Sequence, residues 1–344
     1  MSQNTASILS PTSANLRRLA AALRRGELVA IPTETVYGLA ANALDPQACR
    51  KIFRAKRRPA SDPLIVHVID IAHAAPLAHL PPEAVRLARR FWPGPLTLVV
   101  KKKSTVPAVV TAGRASVALR SPAHQLTRRL LRLAGMPLAA PSANPFGYIS
   151  PTTAEHVRLS LGHRIRYILD GGPCCVGVES TILDLRNPAR PLILRPGAIS
   201  AATLARVLGR KVTAGRIRHE LPAYSIRGAI APGLMKQHYS PRTPLTLVGA
   251  RVRMVMKKIP ADTAVIFRQR PAGVFPPDRT YWLSERGSLP EAARKLYAVL
   301  RRADLGGHAR LVVETIPPAA GGLAGAINDR LRRAAGPAGK QGRA

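Results

Sequence analysis

The sequence is short of aromatic residues, cysteine and acidic side chains, and it contains no long apolar run. Aromatic residues make up 4% of its 344 positions, so the core has to be built mainly from the Leu, Val, Ile and Ala among its 46% of apolar residues. No apolar stretch reaches the roughly 18 residues of a membrane-spanning helix, so we expect no membrane association. The first residues also lack the basic start, apolar stretch and cleavage site of a secretory signal.

The three cysteines argue against a disulfide framework. Cys49 stands alone and Cys174 and Cys175 are adjacent, which matches neither a set of disulfide pairs nor the spacing of zinc ligands. We therefore expect small buried residues in a protein of the reducing cytoplasm.

The scarcity of acidic residues leaves a large positive charge. The chain has 53 Lys and Arg against 18 Asp and Glu, for a formal net charge of +35. A field of that sign attracts polyanions, which makes tRNA or double-stranded RNA a candidate partner. Arg is also abundant on plain helices throughout the chain, so a general bias toward Arg explains the charge as well. Charge alone therefore does not decide between an RNA partner and such a bias.

Length and hydrophobic pattern predict two α/β units. In residues 13–209, short strands such as "PLIVHVI" alternate with helices such as "DPQACRKIFRAKR", whose Asp-Pro start is typical of a helix N-terminus. Residues 210–243 have weak periodicity with many prolines and glycines, which predicts a linker. Residues 244–335 again alternate strand and helix, which predicts a small parallel α/β domain before a basic tail, 336–344.

Polar side chains gather at several predicted strand ends, where open α/β sheets place ligand sites. "IPTETVYGLAANA" presents Thr33, Glu34, Thr35 and Tyr37 after a strand. Turn chemistry explains the threonines better than it explains Glu34 or Tyr37. "PSANPFGYISPT" offers hydroxyls and an amide that can bind a carboxylate, ribose or phosphate, although a plain helix-capping loop would use the same residue types.

Three further stretches carry groups that suit an anion. The glycines of "DGGPCCVGVESTILD" allow close backbone approach to a ligand, and Arg120 and Arg195 follow strands as candidate forks for carboxylate or phosphate. "KIFRAKRRPASDPLIVHV" places Lys56 and Arg58 at a helix end, which a solvated basic face or a grip on phosphates would explain. His67, a lone strand histidine, is by itself more often a core residue than a catalytic one.

Standard catalytic signatures are absent from the sequence. It has no G-x-x-x-x-G-K-[ST] loop, no Rossmann glycine fingerprint after the first strand, no cluster with metal-ligand spacing and no nucleophile elbow. Any bound anion is therefore expected in a nonstandard site.

Seven motifs occur together in one order: "PTETVYGL", "KRRPASDPLIVHV", "FWPGPLTLV", "VALRSPAH", "PSANPFGYISPT", "DGGPCCVGVEST" and "LRPG". With them, residues 13–209 resemble the YrdC/TsaC family of L-threonylcarbamoyl-AMP synthases. "APGLMKQHYSP" and "LAGAINDRLRRAA" are similar to the linker and C-terminal domain of its long, two-domain members.

The resemblance implies an α/β fold: a YrdC-like domain with a twisted mixed sheet around a large positive cavity, a linker over that cavity, and a small Rossmann-like C-terminal domain. It implies a nucleotidyltransferase that makes threonylcarbamoyl-AMP and pyrophosphate from L-threonine, bicarbonate and ATP with Mg²⁺. The product would serve threonylcarbamoyladenosine modification of tRNA next to the anticodon, completed by a separate threonylcarbamoyl transferase system.

The resemblance also implies roles for residues that match the family's motifs. No side chain is expected to act as a nucleophile, and charge stabilisation falls to Lys56 and Arg58. The expected ATP-binding residues are Lys56, Arg58, Asp62, Ser116, Ser142, Asn144, Ser150 and Arg195, although Asn144 has no firm role. The expected threonine pocket consists of Thr35, His67, Arg120, Ser180 and Thr181, with His238 and Tyr239 in a lid.

Asp62 departs from the family pattern, because many members carry Asn there. A carboxylate near a triphosphate repels it unless a metal or a ribose hydroxyl intervenes, so Asp62 either helps to hold Mg²⁺ or turns away from the phosphates. Two other interpretations stay open. One is a nonenzymatic tRNA- or double-stranded-RNA-binding protein of the same fold, which the charge favours. The other is the carbamoyl-transfer domain of hydrogenase maturation proteins, whose zinc-binding cysteine motifs are absent from this sequence.

Overall fold

The computed structural model describes residues 5–214, 238–249, 259–273, 275–317 and 322–336. The strands of the first domain are β1 (Ser7–Leu9), β2 (Val29–Ile31), β3 (Gly38–Asn42), β4 (Ile65–His67), β5 (Leu96–Lys101), β6 (Ser116–Arg120), β7 (Leu138–Ala139), β8 (Tyr167–Leu169), β9 (Thr181–Asp184), β10 (Leu192–Arg195) and β11 (Thr213–Ala214). Its helices are α1 (Ser13–Arg24), α2 (Pro46–Lys56), α3 (Ile71–Ala74), α4 (Pro82–Phe91), α5 (Ala108–Thr111), α6 (Gln125–Ala134), α7 (Ala154–Leu161) and α8 (Ala201–Leu208).

The strands of the first domain form one mixed sheet, as predicted. Its 11 strands run in the order β1-β8-β2-β3-β7-β4-β6-β5-β9-β10-β11. β4 and β6 are parallel neighbours, and their register pairs His67 with Arg120 at the carboxyl ends of both strands. Because neighbouring parallel strands end at the same edge of a sheet, these two side chains reach one place although 53 positions separate them in the sequence.

The end of α2 aims two basic residues at this edge. Asp45 caps the helix by accepting a hydrogen bond from the Gln47 amide at 2.8 Å, and Pro46 occupies its first turn, as the Asp-Pro start predicts. Arg57 then takes a left-handed conformation with φ of 51°, which reverses the chain directly after Lys56. Lys56 and Arg58 therefore leave the helix end in a defined direction rather than as a solvated face.

The cores are built from aliphatic side chains, as the shortage of aromatics requires. Fully buried Leu, Val, Ile and Ala dominate the clusters on the two faces of the large sheet, and Cys49 and Cys174 are buried among them. Each fully buried Leu, Ile or Val contributes about 1.5–3 kcal/mol relative to exposure. Cys175 is exposed, which corrects the expectation that all three cysteines are buried.

Two strands depart from the sequence-based expectation. β3 has the sequence Gly-Leu-Ala-Ala-Asn, which has little β propensity, and it is a strand because β2 and β7 pair with it on either side. β11 pairs with β10, and the preceding Val212 is buried in the core. The large sheet thus continues into the segment 210–243 that we predicted to be a linker, of which residues 215–237 lie outside the described ranges.

The C-terminal domain is a parallel α/β unit, as predicted. Its strands β12 (Leu245–Val248), β13 (Thr263–Phe267), β14 (Thr280–Trp282) and β15 (Arg310–Glu314) form a sheet in the order β12-β15-β13-β14, flanked by α9 (Leu289–Asp304) and α10 (Gly322–Ala335). All three strand pairs are parallel. Within the described ranges, no helix combines the length and apolarity needed to cross a bilayer.

The two domains share one apolar cluster. Val36, Ile149 and Val178 of the first domain are buried together with core residues of the C-terminal domain. At the edge of this contact, the guanidinium of Arg301 donates to the Ile149 carbonyl and to the Ser160 hydroxyl, both at 2.8 Å. The C-terminal domain therefore packs against loops of the first domain, including the one that follows β2.

Candidate active site

The candidate site is a narrow pocket at the carboxyl ends of β4 and β6. Its open space is about 40 Å³, enough for a few water molecules, since one water needs roughly 10–15 Å³. Ten polar or aromatic side chains line it: Thr33, Thr35, Arg58, His67, Arg120, Ser142, Glu179, Arg195, His238 and Tyr239. The pocket thus brings together residues from most of the motifs noted in the sequence.

Arg120 lies at one end of this pocket with its guanidinium held by neighbours. It forms an ion pair with Glu34 at 2.8 Å, donates to the Thr35 hydroxyl at 2.9 Å and donates from Nε to the Gly94 carbonyl at 3.3 Å. Thr35 is fixed in turn by the Thr33 hydroxyl at 2.8 Å. A buried, oriented guanidinium beside a hydroxyl can receive a small carboxylate. Glu34, which we noted in the turn but did not assign, is the partner that orients it.

His67 is a neutral imidazole in the pocket wall. It is 2% exposed, and Nδ1 has no hydrogen-bond partner among the described residues. Burial, with the adjacent Arg120 charge, lowers the pKa of His67 to about 3. Such a group stays uncharged at neutral pH, which suits a pocket wall better than a proton carrier.

Arg58 lines the pocket and Lys56 lies next to it, and both hold backbone carbonyls. Lys56 donates to the carbonyl of Ser142 at 2.6 Å and to that of Asn144. Arg58 donates to the carbonyls of Asp62 and Pro63 at 3.0 and 2.7 Å. Burial, and then the neighbouring Arg58 charge, lowers the pKa of Lys56 well below its ordinary value. Burial disfavours the charged form of both side chains, so a polyanion bound beside them would stabilise that charge.

The carboxylate of Asp62 faces this basic group without accepting a hydrogen bond from any described residue. Its carboxylate lies 2.8 Å from Arg58, yet neither carboxylate oxygen has a hydrogen-bond partner within the described ranges. Burial raises the pKa of Asp62, and the charge of Arg58 opposes that shift. The carboxylate is therefore held by charge alone and turned toward Arg58.

The residues around Asp62 do not fit a resident magnesium site. The described part of the chain contains no group of three or more His, Cys, Asp or Glu side chains that could hold a metal ion. A divalent cation at this single carboxylate would lie among the repelling charges of Lys56, Arg58 and Arg195. Mg²⁺ in proteins is commonly held by one or two carboxylates together with substrate phosphates, and only the phosphates could offset those charges here. Asp62 as a metal ligand stays a prediction that concerns only Mg²⁺ arriving on a nucleotide.

Arg195 and Ser180 form a third group beside the pocket. Arg195 donates from Nε to the Ser180 carbonyl and from Nη2 to its hydroxyl, both at 3.1 Å, and the same hydroxyl meets Thr97 at 2.8 Å. Gly197 of "LRPG" touches the backbone behind them, where a Cβ would lie 2.3 Å from the Thr181 nitrogen, so only glycine fits. Thr181 itself turns away, since its hydroxyl bonds both the amide and the carbonyl of Ile199.

The remaining expected nucleotide residues are spread more widely. Ser142 lines the pocket, whereas Asn144 uses its amide to donate to the carbonyls of Pro145 and Tyr148 at 2.9 and 2.8 Å, and so shapes the loop. Ser116 is at the opposite end of β6 from Arg120, about 13 Å along the strand, and does not line this pocket. Of these three residues, only Ser142 lines the pocket, Asn144 shapes the loop beside it, and Ser116 lies away from it.

His238 and Tyr239 close the pocket. They are 4% and 1% exposed, and the His238 ring packs edge-on against Phe146 and Tyr239 with centroid distances of 5.9 and 4.1 Å. Ser240 then anchors the segment through its amide, which donates to the Gly147 carbonyl at 2.8 Å. Burial lowers the pKa of His238 well below its ordinary value. The pair therefore forms part of the pocket wall.

Glu179 is a pocket residue whose importance the sequence did not reveal. It accepts hydrogen bonds from Ser150 at 2.6 Å, Tyr297 at 2.8 Å and Arg330 at 2.7 Å. Burial alone would raise the pKa of Glu179, but Arg330 and Arg195 lower it to about 2. Tyr297 and Arg330 belong to the C-terminal domain. Arg330 lies in the motif "LAGAINDRLRRAA", but neither this motif nor the helical pattern around Tyr297 indicates that the two residues reach a carboxylate of the first domain.

Family models match nearly the whole chain. The model for Sua5, YciO and YrdC proteins, described as "Telomere recombination", matches residues 21–197. The model described as "Threonylcarbamoyl-AMP synthase, C-terminal domain" matches residues 199–336. The match therefore includes both domains.

Individual relatives agree with both family models. The threonylcarbamoyl-AMP synthase of Pyrococcus abyssi is 40% identical over 93% of this chain and 94% of its own length. That of Bacillus subtilis is 40% identical over 95% of each. The crystal structure of P. abyssi Sua5 complexed with L-threonine matches with a TM-score of 0.86 at 38% identity, covering 96% of this chain and 97% of that one. The likeness extends over both domains in sequence and in fold.

Proposed function

Because this chain belongs to the Sua5/YrdC family of threonylcarbamoyl-AMP synthases, we propose that it makes threonylcarbamoyl-AMP and pyrophosphate from L-threonine, bicarbonate and ATP. It is an enzyme of the nucleotidyltransferase type. The observation that carries the proposal is the pocket itself, in which the oriented guanidinium of Arg120 shares one enclosed space with Arg58 and Arg195. Lys56 lies next to this space and holds the carbonyl of the lining residue Ser142.

The threonine side of the pocket is the Arg120 end. Arg120 would take the carboxylate of the amino acid, and Thr35, which already accepts from Arg120, would contact the same group. The neutral ring of His67 and the hydroxyl of Ser180 would form the wall, whereas Thr181, whose hydroxyl bonds Ile199, would stay outside it. P. abyssi Sua5, which has been crystallised with L-threonine, supports this choice of ligand.

The phosphate side is the group formed by Lys56, Arg58 and Arg195. Threonine and bicarbonate would first condense to a carbamate with loss of water. A carbamate oxygen would then attack the α-phosphorus of ATP, and the bond to the β-phosphate oxygen would break to release pyrophosphate. Such a transfer needs positioning and charge stabilisation rather than a protein nucleophile. Ser142 and Ser150 would contact the nucleotide near this group, and Ser116 and Asn144 stay predicted members of the ATP site.

Substrate entry requires the pocket to open. An open space of about 40 Å³ is too small for ATP, and His238 and Tyr239 form part of its wall. We propose that these two residues belong to a lid that moves out for ATP and returns over the intermediate, where excluding water would protect a hydrolysis-prone acyl-adenylate. Mg²⁺ would enter as the ATP complex and neutralise phosphate charge there.

The product's destination follows from its chemistry and from the family. A mixed anhydride of this kind is an activated acyl donor, so a separate transferase system would move the threonylcarbamoyl group to tRNA next to the anticodon. We also propose that the protein acts in the cytoplasm, together with the tRNA that its product would modify.

A second candidate function is RNA binding without catalysis. The net charge of +35 favours it, and Lys51, Arg54, Arg164 and Arg166 line one open basic groove on the first domain. RNA binding by this groove would also be compatible with the enzyme.

Pyrophosphate release tests the proposal. Purified folded protein should release pyrophosphate when ATP, L-threonine and bicarbonate are all present, and omission of any one should reduce release to background. Mass spectrometry of the quenched reaction should detect threonylcarbamoyl-AMP. Pyrophosphate release that does not depend on threonine would contradict the proposed synthase activity. Folded protein that binds RNA but releases no pyrophosphate would contradict it too and would favour the second function.

A further inference from the structure

We propose that Arg330, in the last helix of the C-terminal domain, is a positioning residue for ATP: it neutralises Glu179 and so keeps a carboxylate in the pocket wall from repelling the phosphates. The inference rests on the proposed function. It assigns the C-terminal domain a defined part in nucleotide binding, through a residue that itself does not line the pocket.

The first support is the geometry of the pair. Arg330 is fully buried, and its Nε donates to Glu179 at 2.7 Å while its Nη2 reaches the Glu179 carbonyl at 3.4 Å. Tyr297, from α9 of the same domain, donates to both carboxylate oxygens at 3.0 and 2.8 Å. A carboxylate of the first domain thus receives two of its partners from the C-terminal domain.

The second support is the position of Glu179. It lines the pocket together with Arg58 and Arg195, the residues proposed for the phosphates, and its carboxylate accepts from Ser150, a proposed nucleotide contact. An unpaired carboxylate in that wall would act on phosphates through a poorly screened, largely water-free space, where a repulsion is several times stronger than at the surface.

The third support is that Arg330 also reaches the closing segment. Its guanidinium lies 5.3 Å from the centre of the Tyr239 ring, in a cation–π contact. Asp329 pairs with the other side of the guanidinium at 2.8 Å and also with Arg333 at 3.1 Å. Loss of Arg330 would therefore leave Asp329 with a partner but would leave Glu179 without its counter-charge from the C-terminal domain.

The test compares the Michaelis constants of two substrates in charge-matched variants of the full chain. Arg330→Met should raise KM for ATP by about tenfold or more while KM for L-threonine changes by less than about twofold, because the uncompensated carboxylate lies on the phosphate side. Arg330→Lys, which keeps the charge, should restore much of the ATP affinity. Arg332→Met, on the exposed face of the same helix, is the matched control and should leave both constants unchanged.

Removing the carboxylate separates neutralisation from a merely structural role. In a Glu179→Gln background, Arg330→Met should change KM for ATP by less than about twofold, since no charge is left to neutralise. This comparison does not require the single Arg330→Met variant to fold. Binding of a nonhydrolysable ATP analogue, measured by calorimetry, should follow the same order.

Three results would overturn the inference: an unchanged KM for ATP in folded Arg330→Met, an equal rise for both substrates, or a double variant that is as defective as the single one or does not fold. The proposed function fails separately, because its failure would appear as wild-type protein without three-substrate pyrophosphate release.

Discussion

Lowering the pH from 7 to 5 should destabilise the first domain by about 2 kcal/mol through His67 alone. His67 is buried in the pocket wall with a pKa of about 3, far below its ordinary value of 6.5, because burial and the neighbouring Arg120 disfavour the imidazolium. Between these two pKa values, His67 is therefore protonated in the unfolded state but not in the folded state. Replacing His67 with a residue that does not titrate should remove this part of the pH dependence.

The sign and size follow from proton linkage. A group whose pKa is lowered by folding contributes its full stability above its unfolded pKa and loses it as the pH falls toward the folded pKa. Between pH 6.5 and pH 3 the unfolded chain binds about one more proton than the folded chain at this site, which costs about 1.4 kcal/mol per pH unit. The shift from pH 7 to pH 5 crosses about 1.5 units of that window, hence the figure of about 2 kcal/mol.

Urea denaturation at the two pH values measures the effect. The two tryptophans lie in different domains, Trp92 in the first and Trp282 in the second, so a Trp282→Phe background reports on the first domain by fluorescence. In that background, His67→Gln should lose about 2 kcal/mol less than the parent between pH 7 and pH 5. His163→Gln, at an exposed position, controls for the chemistry of the substitution.

The outcome that refutes the reasoning is an equal loss of stability in the parent and in His67→Gln. Burial also lowers the pKa of His124, His156 and His238, so the parent should show additional pH dependence. Those contributions are common to both proteins and cancel in the difference, which is why the comparison isolates His67.

Three further predictions concern ligand binding. Arg120→Lys should raise KM for L-threonine about tenfold with little change in KM for ATP, because a single ammonium cannot reproduce the two-pronged hydrogen bonding of a guanidinium to a carboxylate. Steady-state kinetics with each substrate varied in turn measures both constants. A selective rise in KM for ATP would contradict the prediction. Asp62→Asn should lower or preserve KM for ATP, since a buried carboxylate beside Arg58 is removed; a large loss of activity with altered Mg²⁺ dependence would instead support a metal role. Deleting residues 216–344 should leave a folded first domain with reduced synthase activity, judged by circular dichroism and pyrophosphate release, and unchanged turnover would reject the proposed lid.

Local patterns were sufficient for most of the fold. The Asp-Pro start of α2, the alternation of short apolar strands with helices, and the parallel character of the C-terminal domain all follow from signals within a few residues of each other. Strand β3 was missed for the same reason, because its small residues carry no local signal and its conformation is imposed by two neighbouring strands.

The candidate site could be predicted in part. Arg120, His67, Lys56 and Arg58 stand next to strand or helix ends that the sequence shows, so their gathering at one sheet edge could be expected. Their present partners could not: Lys56 holds carbonyls 86 and 88 positions away, and Arg120 reaches Thr35 across 85. Such distances along the chain leave no periodicity or spacing to detect.

The sequence by itself determined the chemistry of this protein: an excess of cations, polar side chains at strand ends, and a set of motifs whose order indicates one family. The tertiary structure alone decided which of those groups are buried, neutral or paired. The pKa of His67, the position of Tyr239 in the pocket wall, and the pairing of Glu179 with Arg330 across 151 positions all depend on packing. Desolvation and charge pairing act through space, and folding, not residue order, sets the distances over which they act.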